Sequence, residues 1–125
     1  MHFNGWGDYP NPAGYTASRT FHADYEERFV DDHISAADVI PLVGPAATLS
    51  DVPLAEIGRY LANTNAQVVP LYELAKRGAM ASNPPADAQA ALIKLTATQL
   101  AAAATMLDSL VDTAWRASAA LKEDD

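Results

Sequence analysis

Apolar residues recur at helical spacing in three stretches of this chain, and glycines and prolines separate the stretches. The strongest pattern runs from Ala86 to Leu121, where Leu92, Leu95, Gln99, Met106, Leu110, Ala114 and Leu121 follow the ~3.6-residue period of an α-helix. Leu100, Ala103, Leu107, Val111 and Trp115 widen that stripe, so a helix over 86–121 must have its apolar side covered. A second helix is predicted over 51–77, capped by Ser50 or Asp51, with Pro53 in its first turn. Leu54, Ile57, Leu61, Val68, Leu71, Tyr72 and Ala75 form its apolar face, and Pro70 is expected to kink it by removing one backbone bond. A first helix is predicted over 17–33, with Thr16, Ser18 and Thr20 as caps.

The remaining segments lack a helical period. Residues 1–16 are punctuated by Gly5, Gly7, Pro10, Pro12 and Gly14 and read as a loop, one that Trp6, Tyr9 and Tyr15 would pack onto the helical body. Residues 34–50 are an apolar connection in which Pro41, Gly44 and Pro45 block a long helix. Gly78 is the expected C-cap of the second helix, and Pro84-Pro85 opens the third. The fold class is therefore all-α, with three main helices after an irregular N-terminal loop, arranged as one domain or domain fragment over 1–125.

Composition narrows the function classes. Sixteen acidic against eight basic residues leave a net charge of -8, which disfavours a nucleic-acid surface of the usual basic kind. The chain has no cysteine, so thiolate ligands and disulfides are excluded. No stretch reaches the ~18 uncharged apolar residues of a membrane span, and the N-terminus has no signal-peptide pattern. These features predict no membrane span and leave localisation open.

Candidate chemistry centres on His22-Ala23-Asp24-Tyr25-Glu26. Helical residues four apart are offset by only about 40° and one turn of rise, so His22 and Glu26 share a face. Imidazole nitrogen and carboxylate oxygen are both zinc ligands, and a catalytic zinc takes about three protein ligands plus water. By spacing alone, the same pair also fits two solvated side chains at a helix start. Phe29 and His33 fall on the same ideal stripe, but His33 is roughly 16 Å along the axis and beyond sharing an ion with His22. Glu27 points about 100° away from Glu26. Trp6, Tyr15, Phe29 and His2 are candidates for the wall of a substrate cleft beside His22, the aromatics equally fitting a loop staple and His2 an exposed terminus.

The segment Phe21-His22-x-x-Tyr25-Glu26, followed by Val30-Asp31, resembles the zinc-dependent phospholipase C and single-strand nuclease superfamily. In that family a Phe-His-x-x-Tyr-Glu-x-x-Val-Asp segment supplies the last two ligands of the metal centre. Here one residue is inserted before Val30. Asn4-Gly5-Trp6-Gly7 is similar to the loop that bacterial members place ahead of that helix. The resemblance implies that His22 and Glu26 are zinc ligands, sharing their ion with a histidine outside this chain. The other ligands of a three-zinc centre would lie upstream of Met1, so the chain would be the C-terminal half of a larger helical domain. Family members are commonly exported.

Two functions from different classes follow. One is a partial zinc-dependent phosphodiester hydrolase, of phospholipase C or nuclease type, acting on a phosphate ester once its missing half is supplied. The other is a non-catalytic helical module, which could form a homo-oligomer through the long C-terminal helix.

Overall fold

The computed structural model describes residues 4–49 and 53–119. His2, the expected caps Ser50 and Asp51, and Leu121 lie outside the described residues. The architecture is all-α, 66% helical, with no strand among the described residues.

An irregular segment leads into a short helical turn at Phe21 and His22, and from there into a π-helix, Ala23–Phe29, continued by α1, Val30–His33. The first helix thus starts at Phe21, later than the predicted start at 17. Most of it also has a wider turn than expected: the Val30 amide donates to the Tyr25 carbonyl five residues back. Such π turns are rare and usually short. This one lays Phe21, Tyr25 and Phe29 in a single inward row, with ring centroids 6.4 and 6.2 Å apart and planes within about 20°.

Residues 34–49 form more than a plain connection. They hold α2, Ala36–Val39, closed by a Ser35/Asp38 capping box, and a 3-10 turn, Ile40–Leu42. Residues 43–49 then run along the last helix, α5, Ala86–Ser118. Backbone amides of Gly44, Ala47 and Leu49 donate to the hydroxyls of Thr105, Ser109 and Thr113, at 2.9, 3.1 and 2.8 Å. Thr105 and Ser109 in turn donate to the carbonyls four residues back in α5. Each of these two hydroxyls therefore accepts from the connection and donates to the helix, which satisfies both.

The second predicted helix is two helices. α3, Pro53–Asn65, ends before Gln67, and α4, Val68–Lys76, begins after it, so Pro70 sits in a first turn rather than at a mid-helix kink. A proline there loses nothing, because the first amides of a helix have no intrahelical acceptor. α4 closes on Gly78, whose φ of +85° is the left-handed C-cap that glycine adopts without cost.

The core joins Phe21, Tyr25 and Phe29 to Val68, Leu71 and Tyr72 of α4, to Ala79, and to Ala88 and Leu92 of α5. The stripe expected on α3 is not buried: Leu54 and Leu61 face out, and α3 has no buried residue. On α5 the packed face is made largely of small side chains, Ala88, Thr96, Ala97, Ala101 and Ser109, besides Leu92. The wider stripe of Leu100, Leu107, Val111 and Trp115 is exposed, Trp115 at 77%. By length and composition alone α5 is apolar enough to cross a membrane, its 18-residue window having a mean hydropathy of 1.4, a test that core helices of soluble proteins also pass.

A polar cluster ties the connection to the far end of α5. Thr48 and Arg116 both donate to Asp112, and the Arg116 bond, with help from Thr48, holds the Asp112 carboxyl below its ordinary value despite some desolvation. A depressed carboxyl pKa contributes stability that is present above the unfolded value and is lost as pH falls through the folded one. Asp112→Asn is therefore expected to flatten the acid limb of stability below about pH 4. Urea unfolding midpoints at several pH values measure this; an unchanged acid limb would count against the cluster.

Candidate metal-ligand pair and adjacent groove

The π-helix places His22 and Glu26 one position after Phe21 and Tyr25, hence on the flank of the buried row and facing out. The structure brings the two together: His22 Nε2 lies 3.2 Å from Glu26 Oε2, with side chains 55% and 46% exposed. Asn4 fixes the start of this turn, its Oδ1 accepting from the His22 backbone amide at 3.1 Å. That contact anchors the N-terminal loop to the pair, and nothing in the spacing of residue types signalled it.

The loop is held by aromatic packing. Trp6 meets Tyr72 and Tyr15 edge to face, each at 4.9 Å, and Gly5 donates its amide to the Tyr72 hydroxyl at 3.1 Å. Asn11 bonds both backbone groups of Tyr15 at 2.7 Å, and the Tyr15 hydroxyl donates to Glu73, a bond that raises the Tyr15 pKa. Trp6 and Tyr15 thus staple the loop to α4.

Phe29 departs from its expected place. It does not share a stripe with His22 and Glu26; it closes the inward row, buried, with its ring 4.8 Å from the His33 ring. The ideal α-helical wheel fails here because the π turn changes the rotation per residue. Phe29 and His33 instead line an open groove of about 920 Å³ between the first helix and the 78–84 turn. Asp24, Arg28, Asp32 and Lys76 stand around it, while His22, Glu26, Trp6 and Tyr15 do not line it. Arg28 is paired with Asp24, and Lys76 donates to the Ala13 carbonyl. The His22–Glu26 pair and the groove therefore occupy different faces of one helix.

Among the described residues, no group of three or more His, Cys, Asp or Glu side chains is placed to hold a metal ion. The pair does match two corners of a zinc site in its donor chemistry. Ligands at the 2.0–2.2 Å typical of zinc nitrogen and oxygen bonds, around a tetrahedral ion, lie roughly 3.4 Å from each other, close to the 3.2 Å observed. An ion pair has the same spacing, so the distance fits a zinc without requiring one. The chain matches no known protein-family model, no curated protein and no solved structure.

Proposed function

We propose that this chain is part of a zinc-dependent phosphodiester hydrolase, of phospholipase C or nuclease type, in which His22 and Glu26 are two ligands of one zinc ion. The observation that carries the reading is the 3.2 Å approach of His22 Nε2 and Glu26 Oε2 on an exposed helix face. The π turn supports it as well. Relative to the family segment, one residue is inserted between Glu26 and Val30, and the bond from the Val30 amide to the Tyr25 carbonyl encloses one residue more than an α-helical turn. The extra residue is absorbed inside the turn, and the His-x-x-x-Glu pair keeps its contact. A zinc held there would activate water and offset charge on the departing oxygen of a phosphate ester. The chain's own contribution is to orient the imidazole and the carboxylate.

Two donors hold zinc weakly, so a third must come from elsewhere. By the resemblance that donor is a histidine outside this chain, and His2, which lies outside the described residues, serves as the comparison. The test is zinc content, by mass spectrometry, of the purified chain beside His22→Ala, Glu26→Gln and His2→Ala. Weak uptake is expected in the parent chain, lost in the first two variants. Loss in His2→Ala as well would place the third donor within the chain. Equal uptake in all four proteins would remove the ligand assignment.

A second reading, a non-catalytic helical or self-associating module, is favoured by the exposed Leu54, Leu61, Leu107, Val111 and Trp115 on α3 and α5. Light scattering across a concentration series separates the two: self-association without zinc uptake supports the module, and a zinc-binding monomer supports the hydrolase part.

A further inference from the structure

The C-terminal half of α5 is covered on one side only. Thr105, Ser109 and Thr113, each four residues from the next, hold the 43–49 segment through the amides of Gly44, Ala47 and Leu49. At about 100° per residue, the row Leu100, Ala104, Leu107 and Val111 runs down the opposite side of the helix. That side is open: Leu107 is 63% exposed, Val111 60% and Leu100 41%, with Trp115 exposed beside the end of the row. From Leu95 to Leu107 the sequence has no charged residue, so nothing along this stretch equips the row for water.

The spacing of the row points to what covers it. Leu100, Ala104, Leu107, Val111 and Ala114 alternate steps of four and three, the seam period of two paired helices. Turned end over end, the row fits itself. With two copies antiparallel about an axis between Thr105 and Met106, Leu100 faces Val111 of the second copy and Ala104 faces its Leu107, so each layer joins a larger side chain to a smaller one. A parallel pair would set Leu107 on Leu107 and Ala104 on Ala104, crowding one layer and leaving the next empty. It would also bring the two cores side by side, because the other half of α5 packs them through Ala88 and Leu92. The area is sufficient as well: Leu100, Leu107, Val111 and Trp115 together expose about 500 Å², so two copies would bury about 1,000 Å², the lower end for a specific interface. A lipid surface suits the row less, since helices that lie on membranes are rich in lysine and arginine, whereas this chain carries a net charge of -8 and Arg116 is already paired with Asp112.

We propose that the row from Leu100 to Val111 is the seam of an antiparallel homodimer, in which two copies of α5 pair by their C-terminal halves. The inference rests on the self-association reading above, gives it a partner and an orientation, and makes no use of zinc.

The chain has no cysteine, so introduced thiols report the pairing directly. Chains carrying Leu100→Cys or Val111→Cys are oxidised alone and mixed. In the antiparallel pair each thiol stands across from the other kind and about 16 Å along the axis from its own kind, beyond the ~7 Å between Cα atoms that a disulfide spans. The mixture is expected to give a disulfide-linked dimer, and either chain alone is not. Light scattering is expected to show a parent dimer with a dissociation constant in the micromolar range, raised about 30-fold or more by Leu107→Glu and unchanged by Leu54→Glu on α3. Both leucines are exposed, so glutamate at either leaves the core intact. Disulfides formed by either chain alone, or a dimer broken by Leu54→Glu and not by Leu107→Glu, would overturn the seam and leave self-association standing. A parent chain that stays monomeric at every concentration would bring down both, and a monomer that binds phosphatidylcholine vesicles through the row would assign the row to lipid instead.

Discussion

Tyr72→Ala is expected to cost about 3–5 kcal/mol, the range for removing a large buried aromatic side chain. Tyr72 has no exposed surface and is the point at which three segments meet. Phe21 stacks on it at 4.4 Å and 14°, Trp6 approaches edge-on at 4.9 Å and 77°, and Tyr15 lies at 5.7 Å. Its hydroxyl accepts the Gly5 amide. Alanine would leave a cavity under the loop and the first helix together, so neither could collapse without moving the other. Against a typical total of about 5–15 kcal/mol, such a loss would leave the chain marginal or unfolded. Tyr72→Phe is the graded comparison: it keeps the rings and strands the Gly5 amide, at about 1–3 kcal/mol. Urea denaturation of both variants measures the difference. A loss below about 1 kcal/mol for alanine would mean that the aromatic cluster is not what holds the loop.

Tyr72 also shows where a reading of the sequence reaches and where it stops. Its place on the apolar face of a helix was legible from Val68, Leu71 and Ala75, and so was the left-handed cap at Gly78, because glycine after an apolar period has few other uses. The 33-residue α5 was legible for the same reason, period and alanine content agreeing over many turns. The π turn was not legible. Phe21, Tyr25 and Phe29 stand four apart, a spacing that α and π turns both place near one face, and the choice is made by Tyr72 and Thr96, far away in the chain. The hydrophobic pattern also misjudged what α5 packs. Leucines marked an apolar side, yet the connection lies against Thr105, Ser109 and Thr113, because only small side chains let a backbone close enough to bond their hydroxyls. For α3 the pattern identified an apolar face correctly and said nothing of whether anything covers it. At the candidate site, the pairing of His22 with Glu26 followed from spacing, whereas the Asn4 contact with the His22 amide is one that no local pattern encodes.

Gly5→Ala is expected to be the most damaging single-atom addition in the loop. Gly5 is buried at φ +88°, where a non-glycine residue is strained by about 1–3 kcal/mol. The added methyl would also meet the Ser18 carbonyl oxygen at 2.6 Å and the Ala17 carbonyl carbon at 2.9 Å, both backbone atoms that cannot swing aside. Relief requires the loop to lift from residues 17–18, which breaks the bond from the Gly5 amide to Tyr72 and draws Asn4 away from the His22 amide. The combined loss should exceed about 3 kcal/mol, from strain and an unpaired buried polar group together. Gly14→Ala is the internal control. Its φ of +66° is also left-handed, but nothing stands within 4 Å of the new carbon, so only the conformational cost of about 1–2 kcal/mol applies. Because Asn4 moves with Gly5 off the body, Gly5→Ala should also weaken any zinc uptake at the proposed His22–Glu26 ligand pair in whatever fraction stays folded, and Gly14→Ala should not. Equal stability of the two variants would show that the close approach of residues 5 and 18 does not exist in solution, and with it would go the anchoring of the N-terminal loop to the proposed ligand pair.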